Sequence, residues 1–142
     1  KQGNDIHMLI AGKQAEEMQQ HLELPSTALG YVKPDDMPAL YNAAYLYVTP
    51  SLLENLPNTI MEAMACGTPC VGFDTGGIPE MIYHLKNGYV ARYKDTEEFD
   101  NGIRWALQEE VHSSLSASAR QKVVELYAEE HVTQKYLKIY AE

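Results

Sequence analysis

Short apolar runs alternate with longer stretches of helix-forming residues along this chain. Residues 7–11 (HMLIA) are mostly apolar, stop at Gly12 and read as a buried strand. Residues 14–23 carry helix formers, and residues 27–32 are a second strand candidate interrupted at Gly30. Asp35 is placed to cap a helix over residues 36–44, with Pro38 in its first turn. A third strand is expected over residues 46–49. The helix expected over residues 57–66 is closed by Gly67 just past its cap and by Pro69 two residues on. Residues 70–73 read as a fourth strand and residues 78–84 as one or two helical turns. A short fifth strand is expected over residues 89–92, after the Asn87-Gly88 turn. From Asp95 onward the texture is helical, with helices expected over residues 96–110, 113–127 and 131–140. In the last of these, Val132, Tyr136, Leu137 and Tyr140 are spaced for one face.

Regular alternation of strand and helix through residue 93 predicts an α/β fold. The expected architecture is a Rossmann-like parallel sheet flanked by helices, with right-handed crossovers and a helical tail. The 142 residues are expected to be one domain, with an α/β core over residues 1–93 and the tail over residues 94–142. Ligands of such sheets bind beyond the carboxyl ends of the strands. The loops after Ala11, Val32, Thr49 and Phe73 are therefore the places to look for chemistry.

Composition narrows the classes. A hydrophobic fraction of 45% supports a real core. No apolar run has the length of a spanning helix, and the first residues lack a signal-peptide pattern. Those residues run straight into an apolar strand, so the chain is expected to be a piece of a longer protein. The net charge of −9 comes with no basic patch, which argues against nucleic acid as a partner. Any anion must be held by local hydrogen-bond donors and helix ends. Cys66 and Cys70 lack the redox or zinc-ligand spacing and read as buried, reduced thiols. The histidines, at 7, 21, 84, 112 and 131, form no close pair, and no metal site is expected.

Candidate chemistry concentrates in residues 49–81, TPSLLENLPNTIMEAMACGTPCVGFDTGGIPEM. Glu54 and Glu62 stand with seven residues between them, where a strand turns into a helix. They are either solvent-facing charges or contacts to two parts of one elongated ligand. Residues 55–58 feed the helix start, whose first N–H groups lack partners within the helix and favour a phosphate. Thr59 adds a hydroxyl there. Asn55 or Asn58 could instead cap the helix, and the two roles are compatible. Gly76-Gly77 makes a turn that either lets backbone approach a ligand or simply joins strand to helix. Gly12 ends a strand without a Gly-rich phosphate loop around it, and Lys13 beside it is a weak candidate. The methionines and the ten tyrosines read as packing residues. Asp74-Thr75-Gly76 matches the triplet of aspartic proteases, but it occurs once and in helix-rich sequence, so that chemistry is rejected.

The string PSLLENLPNTIMEAMACGTPCVGFDTGGIPEMI resembles the donor-binding core of family 4 glycosyltransferases, which have the GT-B fold. Its signature is a glutamate, seven residues, then a second glutamate followed by Ala-Met-Ala-Cys-Gly-Thr-Pro. The likeness extends upstream through Gly30-Tyr31-Val32 and PALYNAAYLYVTPS, and downstream to Asn87-Gly88. It implies that Glu62 binds the ribose hydroxyls of a nucleotide and that Glu54, the catalytic candidate, lies near the transferred sugar. It also implies that Asn55, Leu56 and Pro57 face that sugar, that Asn58 and Thr59 lie near the diphosphate, and that Tyr31 and Val32 line the base. Gly12 and Gly30 complete the donor-binding set. Many members carry Gly-Phe-Gly after the first glutamate where this chain has Asn-Leu-Pro, and Pro57 has no N–H to offer.

The implied activity is transfer of a sugar from a nucleotide diphosphate sugar to an acceptor, with retention and no bound metal or other cofactor. An Arg and a Lys that grip the diphosphate are expected on a strand and helix outside these residues. An N-terminal Rossmann-like domain is expected to hold the unknown acceptor. The fragment alone is then expected to be inactive. The implied location is cytoplasmic, with peripheral membrane contact open to the N-terminal domain. Two other readings stay open: a non-catalytic nucleotide-binding module, and a GT-B nucleotide-sugar epimerase.

Overall fold

A computed structural model describes residues 6–141 of the chain. Its elements run β1 (Met8–Ala11), α1 (Ala15–Gln19), β2 (Ser26–Gly30), a 3-10 turn (Pro34–Asp36), α2 (Met37–Ala43), β3 (Tyr47–Thr49) and α3 (Asn58–Ala65). There follow β4 (Cys70–Phe73), α4 (Ile78–Met81), β5 (Gly88–Ala91), α5 (Thr96–Ala106), α6 (Glu109–Leu126) and α7 (Glu129–Ala141). The fold is α/β with parallel sheets flanked by helices. It divides into a first compact unit ending at Leu40 and a second beginning at Tyr41.

In the first unit, β1 and β2 run parallel, with Met8 opposite Ser26 and Ala11 opposite Gly30. The α1 helix packs against both strands and buries Ala15, while Ile10 is the buried residue of β1. This helix is only five residues long, against the ten expected from its helix-forming composition. No side chain caps its start, no basic residue lies in its last turn, and the chain must turn back at Pro25, whose carbonyl accepts from Met8 N–H at 2.8 Å.

The second unit holds three parallel strands in the order β3-β4-β5. Tyr47 lies opposite Cys70, Thr49 opposite Gly72, and Phe73 opposite Ala91. All four residues of β4 are buried, as expected for a strand flanked on both edges and covered on both faces. Val71, Ala106 and Leu115 form a buried cluster, surrounded by Leu46, Val48, Phe99, Ile103 and Trp105. The α3 helix buries Ile60, Ala63 and Met64 and packs against α6, while α5 packs on β4 and β5. The single parallel sheet expected from the alternation of elements is found as two hydrogen-bonded ladders, one in each unit. Alternation dictates strand direction and crossover hand, but it does not say which strands share hydrogen bonds.

Several boundaries shift for local reasons. Asp35 does not cap a helix but lies inside the 3-10 turn that leads into α2. Pro34 opens that turn, where a missing N–H is harmless. The helix expected to run to His84 stops at Met81. There the buried Asn87 takes over, accepting from Tyr83 N–H at 2.7 Å and donating to the Met81 carbonyl. Glu109 and Glu110, expected at the end of one helix, instead open α6, where negative charge suits the helix dipole. Among the described residues, no helix is long and apolar enough to cross a membrane.

Candidate functional site

The sequence-predicted residues fall into two groups, one in each unit. In the first unit, β1 and β2 end side by side, and Gly12 N–H donates to the Gly30 carbonyl at 2.7 Å. Both glycines have positive φ, +129° and +62°, and open space lies where each would carry a side chain. Tyr31 follows and is 69% exposed, while Val32 is half-buried. The paired strand ends therefore present bare backbone and an aromatic face.

In the second unit, the loop after β3 carries Glu54 and ends at α3. Pro57 is buried and serves as the cap of α3 with extended backbone (φ −71°, ψ 115°). No side chain caps this helix, so Asn55 and Asn58 do not fill the capping role considered above. Asn58 and Thr59, the first two helical residues, are both exposed. The start of α3 is therefore an open helix end near which negative charge is favoured. Leu56 is 46% exposed on the same loop.

The Gly76-Gly77 turn after β4 holds this loop in place. Gly77 N–H donates to the Asn55 carbonyl at 2.5 Å, and Thr75 Oγ1 donates to the Leu52 carbonyl at 3.4 Å. Gly76 has φ +53°, and a Cβ there would stand 1.7 Å from the Glu54 carbonyl oxygen. A Cβ on Gly77 would stand 2.4 Å from the Asn55 carbonyl oxygen. The close backbone approach that a Gly-Gly turn permits is thus taken up by the protein's own glutamate loop. Parallel pairing puts the ends of β3 and β4 at the same edge of the sheet, which is why the two loops meet.

Two tyrosines stand near the glutamates. Tyr41, 3% exposed, donates its hydroxyl to Glu62 Oε2 at 3.1 Å. Burial, and then the Glu62 charge, push the Tyr41 phenol far above its usual range, so it stays a hydrogen-bond donor. Tyr41 and Tyr47 meet edge to face, with ring centroids 5.8 Å apart. The Tyr47 phenol is raised by burial first; Thr59 hydrogen-bonds it, and the Glu54 carboxylate lies within electrostatic reach. Neither tyrosine stands out in sequence, because each meets its partner across the fold.

A cleft of about 500 Å³ lies elsewhere in this unit, between α4, β5 and the start of α5. It is lined by Asp74, Pro79, Tyr83, His84, Lys86 and Glu98 among others, and it contains none of the predicted residues. The open helix end and the anchored Glu62 carboxylate lie instead on α3, next to the glutamate loop.

Residues 1–124 match the family described as Glycosyl transferases group 1. This chain belongs to that family. The glycosyltransferase domain is 32% identical over 142 residues to N-acetyl-alpha-D-glucosaminyl L-malate synthase of Bacillus anthracis, covering 96% of this chain and 37% of that protein. It is 31% identical over 108 residues to alpha-maltose-1-phosphate synthase of Mycolicibacterium smegmatis, covering 71% of this chain and 28% of that protein. Its fold is similar to that of Anabaena HepE solved with UDP, with a TM-score of 0.84 at 23% identity over 96% of this chain and 41% of that one. The glycosyltransferase domain therefore spans well under half the length of each of these relatives.

Proposed function

We propose that these residues are the donor-binding part of a retaining, family 4 glycosyltransferase, which moves a sugar from a nucleotide diphosphate sugar to an acceptor. The observation that carries this reading is the uncapped, exposed start of α3, with Glu62 anchored on the same helix and Glu54 on the loop clamped beside it. In this reading the N–H groups of Asn58 and Thr59 face the diphosphate and oppose the charge that grows as the sugar departs. Glu62 accepts hydrogen bonds from the ribose, and Glu54 acts next to the sugar, with Asn55, Leu56 and Pro57 lining it. Gly12, Gly30, Tyr31 and Val32 are assigned to the nucleotide, with Tyr31 and Val32 on the base. No resident metal is required in this assignment. The acceptor belongs to a further domain, so these residues alone are expected not to turn over. Anabaena HepE, solved with UDP and with UDP-glucose, supports a nucleotide sugar as the ligand class.

The test uses the full-length enzyme. Glu62→Gln should weaken nucleoside diphosphate binding by about 1.5 to 3 kcal/mol, the value of a hydrogen bond to a charged group. That corresponds to roughly 10- to 150-fold in Kd. Glu54→Gln should lower kcat and leave nucleotide affinity near the parent. Parental nucleotide affinity in Glu62→Gln, or parental kcat in Glu54→Gln, would reject the corresponding role.

A further inference from the structure

Glu62 is exposed, and a free glutamate side chain of this kind samples many rotamers. One buried group restrains it here: the Tyr41 hydroxyl, 21 residues away in sequence, donates to Oε2 at 3.1 Å. Tyr41 is itself held. Its ring is buried and meets Tyr47 edge-on; a separate bond, from the buried Thr68 Oγ1 to the Tyr41 backbone carbonyl at 2.7 Å, ties the main chain and does not involve the hydroxyl. A carboxylate offers about four acceptor positions, so one bond from Tyr41 leaves enough for two ligand hydroxyls.

We propose that Tyr41 is a positioning residue that pre-orients the Glu62 carboxylate for a pair of adjacent hydroxyls on the nucleotide, and so sharpens selection for ribose over deoxygenated sugars. The proposal rests on the reading of Glu62 as the ribose ligand. Its physical basis is pre-organisation: a side chain already held in its binding rotamer loses less freedom when the ligand arrives. A bare packing role for Tyr41 predicts something else. Losing the hydroxyl would then affect stability alone, or all ligands equally.

The experiment compares affinity for a nucleoside diphosphate with affinity for its 2′,3′-dideoxy counterpart in the full-length enzyme. The base is whichever of uridine, guanosine and adenosine diphosphate binds the parent most tightly. Tyr41→Phe should reduce the ribo-to-dideoxy preference by about two- to tenfold, the range for one immobilised side chain. Dideoxy binding should stay near the parent. Thr68→Val removes the buried bond to the Tyr41 carbonyl while leaving the hydroxyl, and should lower the melting temperature without changing the preference. Glu62→Gln should collapse the preference. If Glu62→Gln collapses it and Tyr41→Phe leaves it unchanged, the role of Tyr41 is overturned and the reading of Glu62 stands. If Glu62→Gln leaves it unchanged, the reading of Glu62 fails and the proposal with it. Equal loss of preference in Thr68→Val and Tyr41→Phe, or a Tyr41→Phe protein that does not fold, would make the tyrosine structural and overturn the proposal.

Discussion

Replacing Gly76 by alanine should uncouple turnover from stability. The new Cβ would stand 1.7 Å from the Glu54 carbonyl oxygen and 2.6 Å from its carbonyl carbon. Non-bonded heavy atoms settle at roughly 3.5 Å, so the Glu54 loop must retreat by more than about 1 Å. The backbone at φ +53° adds strain of about 1 to 2 kcal/mol for any residue with a Cβ. A displacement of about 1 Å in a catalytic constellation can lower the rate about a hundredfold. Glu62 lies outside this loop and is held by Tyr41, so nucleotide affinity should move little. Gly67→Ala is the matched control. Gly67 also has positive φ, +77°, but a Cβ there would meet the Ser116 hydroxyl at 3.2 Å, away from the glutamate loop. In the full-length enzyme both variants should lose stability in thermal melts, Gly76→Ala the more because its clash is with backbone, and only Gly76→Ala should lose about a hundredfold in kcat. Parental kcat in Gly76→Ala, or equal losses of kcat in the two variants, would refute the clamp.

Two other outcomes follow from packing and charge. Met64 is fully buried on α3, the helix that packs on α6, so Met64→Ala should cost about 2 to 5 kcal/mol in denaturant unfolding. Lys122 is buried, donates to the Glu80 carbonyl and sits over the Tyr83 ring; burial lowers its pKa from 10.5 to about 8. Between those values the unfolded chain holds a proton that the folded chain has released, so this contribution to stability rises with pH. The melting temperature of the parent should therefore climb relative to Lys122→Met from about pH 8 to about pH 9.5, and parallel profiles would reject the assignment.

Much of the element pattern is legible from neighbours along the chain. Gly67 ends α3 because a residue just past a helix end often takes a left-handed conformation, and it does so here with φ +77°. The apolar runs ending at Ala11, Thr49 and Phe73 are strands because short apolar segments between turn residues suit a buried sheet. Glu54, Glu62 and the helix start stand out because their spacing is local.

The rest depends on partners that folding supplies from far along the chain. The Gly-Gly turn is visible as a turn, yet whether its open backbone faces a ligand or another loop depends on the Glu54 loop arriving from the neighbouring strand. Tyr41 looks like any packing tyrosine until Glu62 comes within 3.1 Å of its hydroxyl. Asn87 ends α4 early through bonds to Tyr83 and Met81 that only the folded turn brings within reach. Caps, turns and periodicity act over a few residues and can be read in order. Contacts across strands and between helices carry no such local signal, because any residue of suitable shape and polarity could have met the same partner.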